Sequence, residues 1–153
     1  MTVNTKAPTI RGATRDDLPT IEALLRANDL PIAGVRDAIC SLLVADVDSR
    51  IVGVVGMERH GRYGLLRSTA VTPEWRGRGV ARQLVERIIA DAESQGVNAM
   101  YLLTTTAERY FPSFGFAATA RNAVPDEIQQ TGEFREACPA SATVMCLALQ
   151  DRN

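Results

Sequence analysis

The stretch Val71-Thr72-Pro73-Glu74-Trp75-Arg76-Gly77-Arg78-Gly79-Val80-Ala81 decides the fold. It lies between an apolar, strand-like segment, Leu65 to Val71, and a long amphipathic segment. In the latter, Val80, Leu84, Val85, Ile88, Ile89 and Ala92 recur at helical spacing, with Arg82, Glu86, Arg87, Asp91 and Glu93 on the opposite face. Strand, glycine turn and helix in this order build an anion site. Gly77 and Gly79 remove side chains where the backbone must approach a ligand. The helix start directs unpaired N–H groups and the positive end of its dipole at the same point. Arg76 and Arg78 add fixed positive charge. A phosphate-bearing cofactor is the expected occupant; glycines that serve turn geometry alone are the alternative. The spacing is not the dinucleotide fingerprint and no Gly-Lys-Ser/Thr follows, so Rossmann and P-loop sites fit poorly.

At these residues the chain resembles the GNAT superfamily of acyl-CoA-dependent N-acyltransferases. That family's signature, Arg/Gln-x-x-Gly-x-Gly/Ala, is met by Arg76, Gly79 and Ala81, after an Ala-Val-x-Pro at Ala70 to Pro73. A second block agrees in order and distance, with Tyr101 to Ala107 and then Tyr110-Phe111-Pro112-Ser113-Phe114-Gly115-Phe116. The resemblance runs from about Ile10 to Leu149. It implies an α/β fold with a mixed, mostly antiparallel sheet of about six or seven strands flanked by helices. In that family the fourth and fifth strands splay and acyl-CoA enters the gap. Here those strands would be Leu65 to Val71 and Ala99 to Leu103.

Bulk properties bound the rest. A chain of 153 residues suits one domain, with a core expected over about residues 9–149. Apolar content of 46% and charged content of 23% are ordinary for a globular protein. The net charge of −1 gives no electrostatic case for nucleic acid or an anionic membrane. No apolar run approaches the roughly 20 residues that span a bilayer. Met1 to Pro8 lacks the apolar core of a signal peptide. The 3 cysteines, Cys40, Cys138 and Cys146, lack Cys-x-x-Cys spacing and read as free thiols of a reducing compartment, so a cytoplasmic location is expected. With His60 the only histidine, no metal site is expected.

Along the chain, Thr9 to Ala13 reads as a strand, and Thr14 to Asp17 supplies N-cap chemistry for a helix carrying Leu18, Ile21, Leu24 and Leu25. Asn28 to Gly34 breaks it, and Val35 to Ser41 reads as a second short helix. Leu42 to Val47 and Ile51 to Glu58 read as strands around Asp48-Ser49-Arg50. Gly61 to Gly64 reads as a turn. The signature helix runs to about Ser94, with Gly96 as its left-handed cap. A short helix is expected over Ala107 to Phe114, bent near Pro112. Phe116 to Ala120 and Thr143 to Leu149 read as the last strands. Arg121 to Ala142 has little periodicity, and long connections of that kind are often functional.

Acetyl transfer from a thioester to an amine requires a polarised carbonyl, a neutral amine and a protonated leaving thiolate. The resemblance places the donor, acetyl-CoA, on Thr69, Ala70, Val71, Arg76, Gly77, Arg78, Gly79, Val80 and Ala81. Main-chain N–H groups near Ala70 and Val71 are the candidates for polarising the carbonyl. Thr104 replaces a family asparagine; it and Thr105 could reach the cofactor or cap the next helix. Leu65 stands where many relatives carry a catalytic glutamate, which leaves Glu58, next door in the sheet and beside His60, as the candidate base. Phe111 stands where many relatives carry an acidic tyrosine. That leaves Tyr110 as the candidate acid and Phe111 as a wall of the cofactor site. No nucleophile is required, since direct attack in a ternary complex needs only positioning.

Arg67 and Arg121 would suit an acidic group of the acceptor and Glu133 an ammonium group, with Cys138 and Ser141 nearby in sequence. The late segment resembles the short N-acetyltransferases of arsenic-resistance operons and, more distantly, the acetyltransferase domain of N-acetylglutamate synthases. Both imply a small amine, an amino acid or an amino-acid-like toxin. Protein or peptide acetylation and a non-catalytic acyl-CoA sensor remain as alternatives. Relatives are frequently dimers, so a homodimer is compatible with the chain.

Overall fold

The computed structural model describes residues 7–30, 32, 35–36, 41–105, 107, 109–131 and 142–149. The elements are β1 (Thr9–Gly12), α1 (Leu18–Ala27), β2 (Leu42–Val47), β3 (Arg50–His60), β4 (Tyr63–Val71), α2 (Val80–Ser94), β5 (Ala99–Thr104), β6 (Ala117–Ala118), α3 (Asp126–Gln129) and β7 (Thr143–Ala148). The strands hydrogen-bond as a 7-stranded sheet in the order β1-β2-β3-β4-β5-β7-β6. β1–β2, β2–β3, β5–β7 and β6–β7 are antiparallel, whereas β4 and β5 run parallel. A parallel pair needs a long crossover, and α2 supplies it. The fold is therefore α/β with a mixed, mostly antiparallel sheet. No described helix is long and apolar enough to cross a membrane.

The chain forms two compact units, Met1–Gly56 with Ser68–Arg87, and Met57–Arg67 with Ile88–Asn153. In the first, Leu18, Ile21, Leu24 and Leu25 make one stripe of α1 and pack with Val44, Ile51, Val54 and Ala70. Each leucine, isoleucine and valine among them contributes about 1.5–3 kcal/mol when removed from water. Gly53 of β3 lets α2 lie close: a Cβ there would stand 3.0 Å from both Leu84 Cδ1 and Val80 Cγ1. At the helix entrance Arg11 bridges two carboxylates, Asp17 at 2.9 Å and Asp46 at 3.0 Å. The Asp17 carboxylate also accepts from the Thr14 N–H at 2.7 Å and the Thr14 hydroxyl at 3.1 Å.

In the second unit Leu65, Tyr101, Val124, Ile128 and Val144 form the core. Tyr63 meets Tyr101 edge-on at 6.1 Å between ring centroids. Burial pushes the Tyr101 phenol and the Cys146 thiol up, so neither is a ready ion at neutral pH.

Several expectations need correcting. The β2–β3 turn is Asp48-Ser49 alone, both residues at positive φ (51° and 68°) as a tight two-residue hairpin requires, and Arg50 already belongs to β3. Likewise the next turn holds only Gly61 and Arg62, and Gly64 lies inside β4. A Cβ at Gly64 would stand 2.7 Å from Met57 Sδ, so this glycine serves close packing. The helix expected over Ala107 to Phe114 shortens to a single 3-10 turn, Phe111–Phe114. Pro112 has no N–H to continue a helix and disfavours helical geometry before it. Phe116 to Ala120 yields only the two-residue β6. The stretch after Arg121 contains a 3-10 turn, Arg121–Ala123, and α3, opened by Pro125 and the acidic pair Asp126 and Glu127. Most of the helix expected over Val35 to Ser41 lies outside the described residues, although Val35 itself is buried.

Candidate active site

β4 carries the site's first device. Its parallel pairing with β5 covers Tyr63–Ala99, Gly64–Met100 and Leu65–Tyr101 and ends there. Ser68, buried within β4, has φ 61°. A left-handed residue inside a strand marks a bulge, which bends the strand and re-aims the groups that follow.

After β4 the chain makes a 3-10 turn, Pro73–Trp75, then the glycine loop, then α2. Gly77 and Gly79 sit at φ 77° and 81°, and nothing lies within 4 Å of a Cβ built on either. They are thus required by backbone conformation, and they leave open space over the loop. The Gln83 N–H donates to the Gly79 carbonyl at 3.0 Å, so the N–H groups of α2 before it have no partner inside the helix. Thr72 adds an orphan: its Oγ1 is buried and has no hydrogen-bond partner among the described residues. Open glycines, helix-end N–H groups and local positive charge together fit a pyrophosphate-bearing donor.

Arg76 faces the protein. Its Nε donates to the Val71 carbonyl at 3.2 Å and its Nη2 to Asn28 Oδ1 at 2.8 Å. Asn28, at the end of α1, also donates Nδ2 to the Leu24 carbonyl at 2.9 Å. The signature arginine therefore ties the loop to the end of β4 and to α1. Arg78 instead stands over the Trp75 ring, 4.8 Å from its centroid.

On β3 and β4 the structure joins the candidate base and the candidate clamp. Arg67 Nη1 donates to Glu58 Oε2 at 2.5 Å, and Glu58 Oε1 meets His60 Nε2 at 3.0 Å. Arg67 is buried, so its guanidinium is an internal partner of Glu58 rather than a solvated surface charge. Thr104 Oγ1 accepts from the Ala107 N–H at 2.9 Å, a local turn contact, whereas the 3-10 turn that follows starts only at Phe111 and has no side-chain cap. Thr105 is exposed. Tyr110 is half-exposed and packs edge-on against Phe111 at 5.4 Å and Phe114 at 5.3 Å. Phe111 is buried and also packs on Phe116. Arg121 Nη2 donates to the Ala142 carbonyl at 3.4 Å, with Gln129 Nε2 donating to the carbonyls of Val124 and Arg121 beside it. Glu133, Cys138 and Ser141 lie outside the described residues.

Ser68, Thr72, Trp75 and the Asn28–Arg76 bond went unforeseen as parts of the site. Only Trp75, immediately before Arg-Gly-Arg-Gly, offered a signal in the sequence.

A mixed sheet whose fourth strand runs into a glycine turn and a helix start defines an α/β protein with a candidate anion-binding loop. The chain matches the GNAT acetyltransferase domain over residues 38–118, and it belongs to that family. It is 26% identical over 98 residues to an uncharacterised N-acetyltransferase of Chlorobaculum tepidum, covering 63% of each chain. It is 37% identical over 62 residues to the amino-acid acetyltransferase of Pseudomonas putida, covering 40% of this chain and 14% of that one. The chain thus spans less than two thirds of the length of these curated relatives. Among solved structures, a Mycobacterium tuberculosis protein in complex with CoA and NLQ aligns with TM-score 0.80 at 22% identity, over 93% of this chain and 99% of that one. N-acetylglutamate synthase of Neisseria gonorrhoeae, complexed with coenzyme A and N-acetyl-glutamate, aligns with TM-score 0.82 at 19% identity, over 96% of this chain and 36% of that one.

Proposed function

We propose that this protein is an N-acetyltransferase that uses acetyl-CoA to acetylate the amine of a small, amino-acid-like molecule by direct attack. The observation that carries the reading is the open, left-handed Gly77–Gly79 turn at the start of α2, reached from β4 through the 3-10 turn Pro73–Trp75. Acetyl-CoA supplies the thioester acetyl group. The loop N–H groups from Gly77 to Ala81 hold its pyrophosphate, and the main chain of Thr69 to Val71 lies along the acyl arm. Thr72 Oγ1, buried and unsatisfied among the described residues, is positioned to gain a partner when the donor is present.

Glu58 takes the amine proton. An ionised carboxylate accepts at about four lone-pair sites, and Arg67 and His60 each take one, which leaves acceptor capacity. Tyr110 is the proton donor to the leaving thiolate. Arg67 and Arg121 are the candidates for meeting an acidic group on the acceptor. The match to an amino-acid acetyltransferase favours an amino acid or a close analogue over a protein tail. The resemblance to arsenic-resistance acetyltransferases adds arsinate and phosphinate amino acids to that class. A cytoplasmic location and a homodimer are consistent with this reading.

Release of free thiol from acetyl-CoA tests it, against glutamate, aspartate, methionine, phosphinate and arsinate amino acids, polyamines, aminoglycosides and short peptides. Release with an acidic amino acid or its analogue supports the proposal. Release with peptides alone moves the activity to protein modification, and silence across the panel with CoA binding intact leaves a sensor.

A further inference from the structure

Arg76 and Arg78 flank the same glycine, yet their guanidiniums do different work. Arg76 is fastened to the protein through the Val71 carbonyl and Asn28. Arg78 is exposed, and among the described residues it makes no ion pair or hydrogen bond; its contact is the Trp75 ring at 4.8 Å. A cation–π contact engages the positive charge and uses none of the guanidinium's N–H donors. Arg78 is therefore held in place while its five N–H groups remain available to an anion.

The platform beneath it is itself anchored. Trp75 closes the 3-10 turn Pro73–Trp75, its N–H donating to the Thr72 carbonyl at 3.0 Å. The Thr72 N–H in turn donates to the Val52 carbonyl of β3 at 2.9 Å. The indole is half-buried and its position follows the sheet. A long arginine side chain at an exposed loop loses much rotamer freedom when it grips a ligand, and an aromatic ring that already holds it reduces that loss.

We propose that Trp75 is a positioning residue that holds the Arg78 guanidinium ready for a phosphate group of the donor. The inference rests on the acetyl-CoA reading above. A CoA-type donor offers such a group in its pyrophosphate and in its ribose 3′-phosphate, and a guanidinium can grip either through paired N–H donors.

Calorimetric titration of the whole protein with CoA, dephospho-CoA and pantetheine tests this without knowledge of the acceptor. Trp75 is the only tryptophan in the chain, so its emission reports the same event in the wild type. Arg78→Gln is expected to weaken CoA about tenfold, and Trp75→Phe about threefold. The double variant should bind no more weakly than Arg78→Gln, because Trp75 acts through Arg78. Pantetheine, which has no phosphate, should bind all variants alike. If the losses vanish with dephospho-CoA, the gripped group is the 3′-phosphate; if they persist, it is the pyrophosphate. Arg78 is exposed, so its variant tests the pair even where Trp75→Phe perturbs folding, which urea midpoints would reveal. Additive losses, equal losses with pantetheine, or unchanged CoA affinity in both single variants would overturn the proposal and leave the donor reading intact. A wild type that binds no CoA overturns the donor reading itself.

Discussion

The Glu58 carboxylate meets the Arg67 guanidinium at 2.5 Å, with the Arg67 side chain only 3% exposed and that of Glu58 18%. A charge pair so withdrawn from water is expensive to halve. Removing one member leaves the other desolvated and uncompensated, which costs about 3 kcal/mol or more. Arg67→Met and Glu58→Gln are each expected to lower the urea midpoint strongly, and the double variant should lose clearly less than the two single losses combined. Small, additive losses would show a pair that behaves as a surface contact.

The same carboxylate is the proposed base, and its rate effect has a distinct signature. Glu58→Gln should depress turnover most near neutral pH, and the deficit should shrink as pH rises and solvent leaves more of the amine neutral. A wild-type-to-variant rate ratio that stays flat across pH would remove Glu58 from the proton path.

Gly79 offers a test of the donor loop. At φ 81°, with open space where a Cβ would point, alanine meets no neighbour but must adopt a left-handed conformation. Gly79→Ala should cost about 1–2 kcal/mol of stability. CoA affinity should fall by about tenfold or more, since the backbone then relaxes away from the geometry that aims its N–H groups. Calorimetry and urea titration on the same sample separate the two effects.

Acid should loosen the entrance to α1. The hydrogen bond from Arg11 holds the Asp17 carboxyl at about 2, below its ordinary 3.8, with Thr14 adding to the effect against the opposing influence of burial. Because the folded value is the lower one, Asp17 stabilises the protein above its unfolded value, and that contribution disappears as pH falls from about 4 toward 2. Asp17→Asn should flatten the dependence of the urea midpoint on pH in that window. A variant as acid-sensitive as the wild type there would show that other carboxylates govern the limb.

At Gly53 of the first unit, α2 lies close against the sheet. A Cβ at 3.0 Å from Leu84 Cδ1 and Val80 Cγ1 overpacks an already filled seam. Gly53→Ala should therefore destabilise by about 1–3 kcal/mol, with the melting temperature as the readout. A neutral or stabilising result would mean that Leu84 and Val80 turn aside without cost.

Signals carried by short-range pattern were the ones open to sequence reading. The period of Val80, Leu84, Val85, Ile88, Ile89 and Ala92 announced α2, and Gly77 and Gly79 announced the loop because only a special backbone needs glycine twice there. Features that depend on a distant neighbour stayed hidden. Gly64 reads as a turn until Met57 is seen packed against it. Glu58 and Arg67 were each legible as candidates, but nothing local says that they hold each other. The single turn at Phe111–Phe114 follows from Pro112, whose effect on length is harder to read than its effect on continuity. Ser68 gave no cue, because serine is not a residue that a left-handed position usually selects.

Ser68 has a consequence for how β4 can change. A strand presents alternate residues to alternate faces, and one residue turned left-handed acts as a frameshift within that alternation. The adjacent Leu65, Leu66, Arg67 and Ser68 are all buried, so β4 is covered on both faces around this residue. The break also falls where the chain passes from one compact unit to the other, between Arg67 and Ser68. β4 is in effect two short strands with separate reading frames. Deleting Ser68 would remove the extra residue and restore a regular pleat, leaving Thr69, Ala70 and Val71 on the faces they now present. Substitutions on either side of it likewise leave the other half's facing untouched.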